Sequence, residues 1–457
     1  MNFELLKSQQ TEFIKSGKLL SIDYRIELLN QLKSNIKSLE SEILKALHDD
    51  FGKSEFEAYS SEIGFIYQDI NETIKHIGKW SKPVRMGTAL SLFPSSAKIY
   101  SQPYGRVFII APWNYPFQLL IAPLIAAISG GNTALLKPSE LTPKVSAILN
   151  KLISQTFPNE IVALVEGDGI EIVPRAINDY RPNLIFFTGS TAVGRSIAKQ
   201  AAEHLIPCIL ELGGKSPCII DQSADLKVAV KRIAFGKCIN ADQTCVAPDY
   251  FIVHESIKEA FIKEYKETVD GFYSGNAIES SDFTQIVNDR HFERVEKLFN
   301  QTKVLMGGRT DKDKRKIEPT LVEGKLDHPI MQEEIFGPVS PVFTFKNEAE
   351  IFDLIEKNNN PLSLYLFTQN SVLEKNIVDR ISFGGGCINN TLMHLVDPKL
   401  PFGGIGNSGQ GAYHGKAGFD AFTHKKSVVK TATWFDLKQK YPPYNIKSMK
   451  IIKWFLS

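Results

Sequence analysis

The chain has 457 residues, of which 43% are hydrophobic and 23% charged, and it carries a formal net charge of +2. Those values describe an ordinary globular protein, long enough for about three domains of roughly 150 residues each. A charge so nearly balanced, with no basic stripe interleaved with aromatics, argues against a general binder of nucleic acids or other polyanions.

In chain order, Ile26, Leu29, Leu32, Ile36, Leu39, Ile43 and Leu47 recur three or four residues apart and predict an amphipathic helix over 25–48. A second helical pattern covers about 55–80 and stops at Pro83. Both read as a packing layer. Residues 86–101 are Ser-rich with one Gly and one Pro, which predicts a crossing segment or hairpin. From residue 106 short apolar runs alternate with helical stretches. Strands are expected at 106–111, 133–137, 161–165 and 184–188, with helices at about 117–129, 142–156, 169–178 and 191–203. That alternation predicts a parallel, doubly wound sheet, and such sheets bind ligands at the carboxyl ends of their strands. A second block, from Cys208 to about Cys387, alternates strands at 208–212, 250–254 and 364–368 with helices at 224–237, 256–270, 289–299 and 348–358. The stretch 401–411 is Gly-rich, and 425–457 is basic and aromatic.

The five cysteines, Cys208, Cys218, Cys238, Cys245 and Cys387, form neither a CxxC pair nor a Cys/His ligand set. Free thiols in a reducing compartment are expected, with no metal site. The first ten residues lack the apolar core of a signal peptide, and no run approaches bilayer-spanning length, so a cytoplasmic protein is expected.

Cys245 stands out because polar and turn-forming residues, Gln243, Thr244 and Pro248, surround it just before the strand-like run at 250–253. That context places a thiol at the mouth of a strand, and a nucleophilic thiol needs a partner that lowers its pKa or takes its proton. Glu211 lies inside an apolar run that ends in Gly213 and Gly214. It is either an exposed-face strand residue or a buried carboxyl of raised pKa that can accept a proton or activate water. Asn114, after Pro112 and Trp113 at the end of the first strand, could donate to an oxyanion or be a turn residue. Lys137 and Glu140 follow the second strand. They suit ribose hydroxyls, or belong to a helix start capped by Ser139 or Thr142 with Pro143 in the first turn. Gly189-Ser-Thr-Ala-Val-Gly194 opens a helix after a buried strand. It suits a phosphate but is not GxGxxG, and a plain glycine turn explains it equally. Gln332-Glu-Glu334-Ile-Phe336-Gly-Pro338 by itself reads as a solvated loop.

Together these residues resemble the aldehyde dehydrogenase superfamily. The motifs Pro112-Trp-Asn-Tyr-Pro116, Leu136-Lys-Pro-Ser-Glu140, Phe187-Thr-Gly-Ser190, Leu210-Glu-Leu-Gly-Gly-Lys-Ser-Pro217, Gln243-Thr-Cys245, Glu334-Ile-Phe-Gly-Pro338 and Pro401-Phe-Gly-Gly404 occur in the family's order from about residue 5 to 450. The variants around Cys245, Cys387 and His414 look like the class three branch, generally dimeric and acting on medium-chain, fatty or aromatic aldehydes. The resemblance implies an α/β fold with three parts. They are a variant Rossmann cofactor domain (1–82 and 104–209, with part of 396–416), a second α/β catalytic domain (210–395), and a bridging and oligomerisation segment with tail (83–103 and 417–457).

The resemblance also implies roles. Cys245 would be the nucleophile and Glu211 the general base, with the Asn114 amide and the Cys245 backbone N–H as oxyanion hole. Trp113, Lys137, Glu140, Gly189, Ser190, Gly194, Glu334 and Phe336 would bind NAD, with NADP left open. The implied product is a carboxylic acid, released from a Cys245 thioester by water that Glu211 activates. A CoA-acylating relative is the nearest alternative, disfavoured because such enzymes typically lack a Glu at this position. A Cys/His acyl hydrolase or transferase using His254 or His414, and a non-catalytic protein that keeps the fold, are more remote. The expected partners are a small aldehyde and a second copy of the chain. The basic, apolar tail 448–457 is too short to span a core about 30 Å thick, and packing on protein is favoured over adsorption to a membrane surface.

Overall fold

The computed structural model describes residues 1–443 and 446–456. The first predicted helix runs over Ile22–Phe51, longer at both ends than its apolar stripe. Ser21 caps it by accepting from the Tyr24 N–H, and Gly52 ends it at a φ of 65°, a left-handed turn without penalty for glycine. Leu29, Leu32, Ile36 and Ile43 are buried, as the periodicity requires. The pattern at 55–80 is not one helix. Glu55–Ala58 and Gly64–Trp80 flank a π-helical turn, Tyr59–Ile63, which shifts the helical phase and buries Glu62 beside Ile63.

One sheet has six strands, ordered Gly409–Gln410, Cys208–Glu211, Leu184–Thr188, Arg106–Ile110, Thr133–Lys137 and Val162–Leu164. All neighbours pair in parallel except the first two. The strand Cys208–Glu211, read from sequence as the start of the second block, pairs with Leu184–Thr188 in this first sheet. Sequence order runs outward in both directions from Arg106–Ile110, so a crevice opens at the carboxyl ends between it and Leu184–Thr188. The chain leaves these two strands into Trp113–Asn114 and Gly189–Ser190 respectively.

A second sheet has seven strands, ordered Val304–Met306, Thr320–Glu323, Val339–Phe345, Tyr250–His254, Pro217–Ile220, Ser363–Phe367 and Gly385–Ile388. Only Tyr250–His254 and Ser363–Phe367 are legible as strands in the sequence. Pro341 lies inside Val339–Phe345 and Gly385–Ile388 begins with two glycines, both of which weaken a strand signal. The segment read as a crossing or hairpin forms one: Val84–Met86 pairs antiparallel with Ser95–Pro103, which pairs in turn with Thr423–Thr431. Past its first residue, that last strand is exposed along its whole length. Part of the tail forms a helix, Ile446–Leu456, while Ser457 lies outside the described residues. Among the described residues no helix is long and apolar enough to cross a membrane.

Candidate active site

Cys245 follows a strained turn. Asn240, Ala241 and Asp242 have φ values of 52°, 48° and 64°, three consecutive non-glycine residues in the left-handed region. Buried polar contacts hold them there. The Asn240 N–H donates to Glu57 Oε1 at 2.9 Å, Lys237 Nζ meets Asp242 Oδ2 at 2.5 Å, and Gln243 Nε2 donates to the carbonyls of Asn240 and Gln285 at 3.0 and 3.1 Å. The half-buried Cys245 thiol then lines two cavities. One is a cleft of about 550 Å³ at the sheet crevice, walled by Trp113, Asn114, Gly189, Ser190, Glu334 and Phe336. The other is a largely apolar cavity of about 320 Å³ whose wall includes Phe65, Leu119, Val246, Leu392, Phe402 and Tyr413.

Glu211 is not an exposed-face strand residue. It is 2% exposed, neither carboxyl oxygen has a hydrogen-bond partner, and burial pushes its pKa well above the ordinary carboxyl value. Burial also raises the Cys245 thiol, helped by Glu334 and Glu211, while the backbone N–H groups of Cys245 and Val246 act in the opposite sense. Both shifts favour the neutral forms of the Cys245 thiol and the Glu211 carboxyl, and a cation or dipole brought into the cleft would favour the thiolate.

Asn114 is buried. Its Nδ2 donates to the Gln243 carbonyl at 2.9 Å, and its own carbonyl accepts from Asn240 Nδ2 at 2.9 Å. One amide N–H is committed to the segment carrying Cys245, which leaves the other to donate to a bound group.

The segment 332–338 is more than a solvated loop. Glu334 is half-buried and packs where Gly213 has no side chain, so a Cβ on Gly213 would collide with its carboxylate. Burial first, then Asp249, pushes Glu334 up to about 8 against the opposing Gly214 N–H, Lys215 and Arg294. A buried pair, Lys215 and Asp249, clamps this loop. Lys215 Nζ also donates to the Ile330 and Glu333 carbonyls at 2.8 and 2.9 Å, and Asp249 Oδ1 accepts from the Ile335 N–H at 2.9 Å. Phe336 stands edge-on to Trp113 at 5.2 Å, and Trp113 contacts His291 at 5.0 Å.

Of the residues expected to hold a dinucleotide, Trp113, Gly189, Ser190, Glu334 and Phe336 line the cleft, and Gly194, in the helix that follows, does not. Ser190 caps the helix Thr191–Ala202, whose first-turn amides face the crevice where a phosphate is favoured. At Gly189 a Cβ would lie 2.5 Å from the Phe187 ring, and at Gly194 one would lie 2.5 Å from Leu212 Cδ2, so backbone comes close where a side chain would fill the space. Lys137 and Glu140 do not line the cleft wall. Lys137 Nζ bonds Glu140 Oε2 at 2.6 Å, and the pair faces Gly169, one strand connection away. Thr142 stands at the next helix start but makes no side-chain cap bond. Asp50 supplies the cap, accepting from the Lys144 and Val145 N–H groups at 3.3 and 2.9 Å.

Sequence reasoning missed the support around these residues: Lys53, Glu57, Glu62, Lys215, Lys237, Asp249 and Arg294. Lys237 had a signal, since it falls on the buried face of its helix four residues after Ile233. Lys53, Glu57 and Glu62 lie close in sequence but across the break between two helices and a π-helical turn, and Lys215, Asp249 and Arg294 lie on separate segments. Cys218 and Cys238 are buried, while Cys208 and Cys387 are half-buried. Cys387 Sγ lies 3.5 Å from His394 Nδ1.

The model of the aldehyde dehydrogenase family matches residues 9–428. The chain is 47% identical to 4,4'-diaponeurosporen-aldehyde dehydrogenase of Staphylococcus aureus (strain NCTC 8325 / PS 47), over 97% of this chain and 96% of that one. It is 40% identical to the dimeric NADP-preferring aldehyde dehydrogenase of Rattus norvegicus, over 94% and 96% of the two chains. A solved structure of Staphylococcus aureus AldH in a substrate-bound state superposes with a TM-score of 0.97 at 45% identity, covering 100% of both chains.

Proposed function

The chain belongs to the aldehyde dehydrogenase family, and from that premise we propose that it oxidises a medium-chain, long-chain or aromatic aldehyde to its carboxylic acid with NAD or NADP. The observation that carries the reading is the position of Cys245, whose thiol lines both the crevice cleft and the apolar cavity. An aldehyde whose apolar body filled the second cavity would bring its carbonyl to the sulfur, and the cleft on the other side of Cys245 would hold the nicotinamide.

In this reading the Cys245 thiol gives its proton to the Glu211 carboxylate or to water and adds as thiolate to the carbonyl carbon. The Asn114 amide and the Cys245 backbone N–H hold the oxyanion that forms. A nicotinamide bound in the cleft would supply the hydride acceptor, and Cys245 would keep the oxidised carbon as a thioester. Glu211 takes a proton from a water molecule, which attacks the thioester and frees the acid. Ser190, Gly189 and Gly194 would receive the pyrophosphate, Lys137 and Glu140 the adenosine ribose, and Glu334 with Phe336 the nicotinamide end. The cleft described above supports Gly189, Ser190, Glu334 and Phe336 in this set, Gly194, Lys137 and Glu140 lie outside its wall and rest on the resemblance, and the rat relative's stated NADP preference supports assaying both nucleotides.

The domain division follows the same reading: cofactor domain at 1–82 and 104–209 with part of 396–416, catalytic domain at 210–395, and bridging segment at 83–103 and 417–457, except that the strand Cys208–Glu211 belongs to the first sheet and carries the 209/210 boundary past Glu211. A homodimer is supported by the exposed edge strand Thr423–Thr431, an unpaired backbone row that invites a partner, and by the dimeric rat relative. The free thiols support a cytoplasmic location.

The test is steady-state kinetics over aldehydes of increasing chain length with each nucleotide, followed by absorbance of reduced nicotinamide. The panel includes the 4,4'-diaponeurosporen-aldehyde for which the Staphylococcus relative is named. A signal that rises with aldehyde and nucleotide, and vanishes in Cys245→Ser, is expected. Acid formation without nucleotide would overturn the assignment in favour of a hydrolase.

A further inference from the structure

Lys53 and Glu62 are both 0% exposed and meet at 2.7 Å between Lys53 Nζ and Glu62 Oε1. The π-helical turn described above puts Glu62 inside, and Lys53 follows Gly52, which ends the helix Ile22–Phe51. The two charges grip one short turn from both ends. Lys53 Nζ donates to the Asn114 carbonyl at 3.3 Å and sits 4.4 Å from the centre of the Tyr115 ring. Glu62 Oε2 accepts from the Phe117 and Gln118 N–H groups at 2.9 and 3.2 Å, where the helix Gln118–Ser129 begins and negative charge is favoured. Tyr115, inside the gripped turn, pairs its hydroxyl with Thr244 Oγ1 at 2.8 Å, next to Cys245.

Stability does not account for such an arrangement. Two charges taken fully out of water are commonly no more stabilising than apolar residues of the same volume, whereas they fix geometry through directed, charge-assisted bonds. Here the geometry fixed is that of the Asn114 turn, whose amide donates one N–H to the Gln243 carbonyl and has the other to offer the cleft. We propose that the buried Lys53–Glu62 pair is a positioning device for the oxyanion donor, holding the 114–118 turn so that the Asn114 amide is already aimed when the substrate carbonyl arrives. The proposal rests on the oxyanion role of Asn114 given above. Neither Lys53 nor Glu62 touches the reacting atoms, and both act through Asn114.

The test is a double-mutant comparison on the full chain. The burst of reduced nucleotide is measured by rapid mixing for Lys53→Met/Glu62→Gln, for Asn114→Ala, and for the three together. The pair variant removes both charges at once, which avoids stranding one of them. It is expected to slow the burst roughly ten- to a hundred-fold, the scale of a small misplacement of a catalytic group, with nucleotide affinity by fluorescence unchanged. In the Asn114→Ala background the same pair replacement is expected to change the burst rate less than about two-fold, because its effect runs through the missing amide. An equal fold loss in both backgrounds, or a parallel loss of nucleotide affinity, would overturn the proposal alone. Asn114→Ala bursting at the wild-type rate would overturn the oxyanion reading and the proposal with it. If the pair variant does not fold, Glu62→Gln keeps an oxygen for the Phe117 and Gln118 N–H groups. The same non-additivity with Asn114→Ala is then required of it.

Discussion

At the scale of single residues, the electrostatics of Glu211 set the strongest expectations. Its carboxyl is buried without a partner and favours the protonated form. A protonated carboxyl cannot take a proton from water, so thioester hydrolysis should accelerate as pH rises through the elevated pKa. Glu211→Gln should keep a full burst of reduced nucleotide, slow subsequent turnover and abolish that rising limb; a turnover equal to wild type would remove Glu211 from the mechanism. Asn114→Ala should slow the burst about a hundred-fold or more, the usual loss for one oxyanion donor. Glu334 carries a stability consequence. Its native pKa of about 8 exceeds the unfolded carboxyl value, so the native state retains a proton that the unfolded chain releases. The stabilisation is complete below about pH 4.5 and is lost as pH rises through about 8. The thermal midpoint of nucleotide-free protein should fall across that window, and fall less steeply in Glu334→Gln.

At the scale of elements, the turn before Cys245 is where local preference and tertiary structure disagree most. Left-handed backbone at Asn240, Ala241 and Asp242 costs about 1–2 kcal/mol per residue, and the Lys237–Asp242 pair, the Glu57 carboxylate and the Gln243 amide offset it. Lys237→Met leaves Asp242 buried without its cation and should destabilise the fold by roughly 3–5 kcal/mol in denaturant titration. A cost well under 1 kcal/mol would mean that the turn is held by other means. The first turn of the helix Thr191–Ala202 gives a second expectation. Gly194→Val would drive a side chain into Leu212 and should weaken nucleotide binding more than it lowers thermal stability.

At the scale of the whole molecule, the crevice of the six-stranded sheet faces loops leaving the seven-stranded sheet, and Cys245 lies where the cleft and the apolar cavity meet. The third, three-stranded sheet joins 84–103 to 423–431 and leaves Val428 and Val429 exposed on an edge strand. If that edge is covered by a second copy, Val429→Asp should shift the protein from dimer toward monomer in light scattering. An unchanged mass would place the interface elsewhere. For the tail, a chain ending at Tyr444 should pellet with anionic vesicles no less than the full chain if the terminal helix rests on protein.

The sequence by itself determined the elements with strong periodicity or continuous apolar runs, because period and length are local properties. The stripe Leu29 to Leu47, the four parallel strands from Arg106 to Thr188 and the helices Gln118–Ser129 and Pro143–Thr156 were legible, whereas the pattern at 169–178 is α-helical only over Gly169–Arg175 and continues as a π-helical turn, Ala176–Tyr180. The motif residues Cys245, Asn114, Trp113, Gly189, Ser190, Glu334 and Phe336 were legible too, and they converge on one cleft. Short strands holding proline or glycine were not legible, since pairing with neighbours and not their own composition makes them strands. Tertiary structure alone decided that Cys208–Glu211 joins the first sheet, that Glu211 is buried without a partner, and that Asp50 rather than Thr142 caps a helix. It alone paired Lys53 with Glu62 and Lys215 with Asp249, because the first pair depends on the π-helical turn that shifts Glu62 inward and the second on where separate segments meet in space, and no regular spacing along the chain records either.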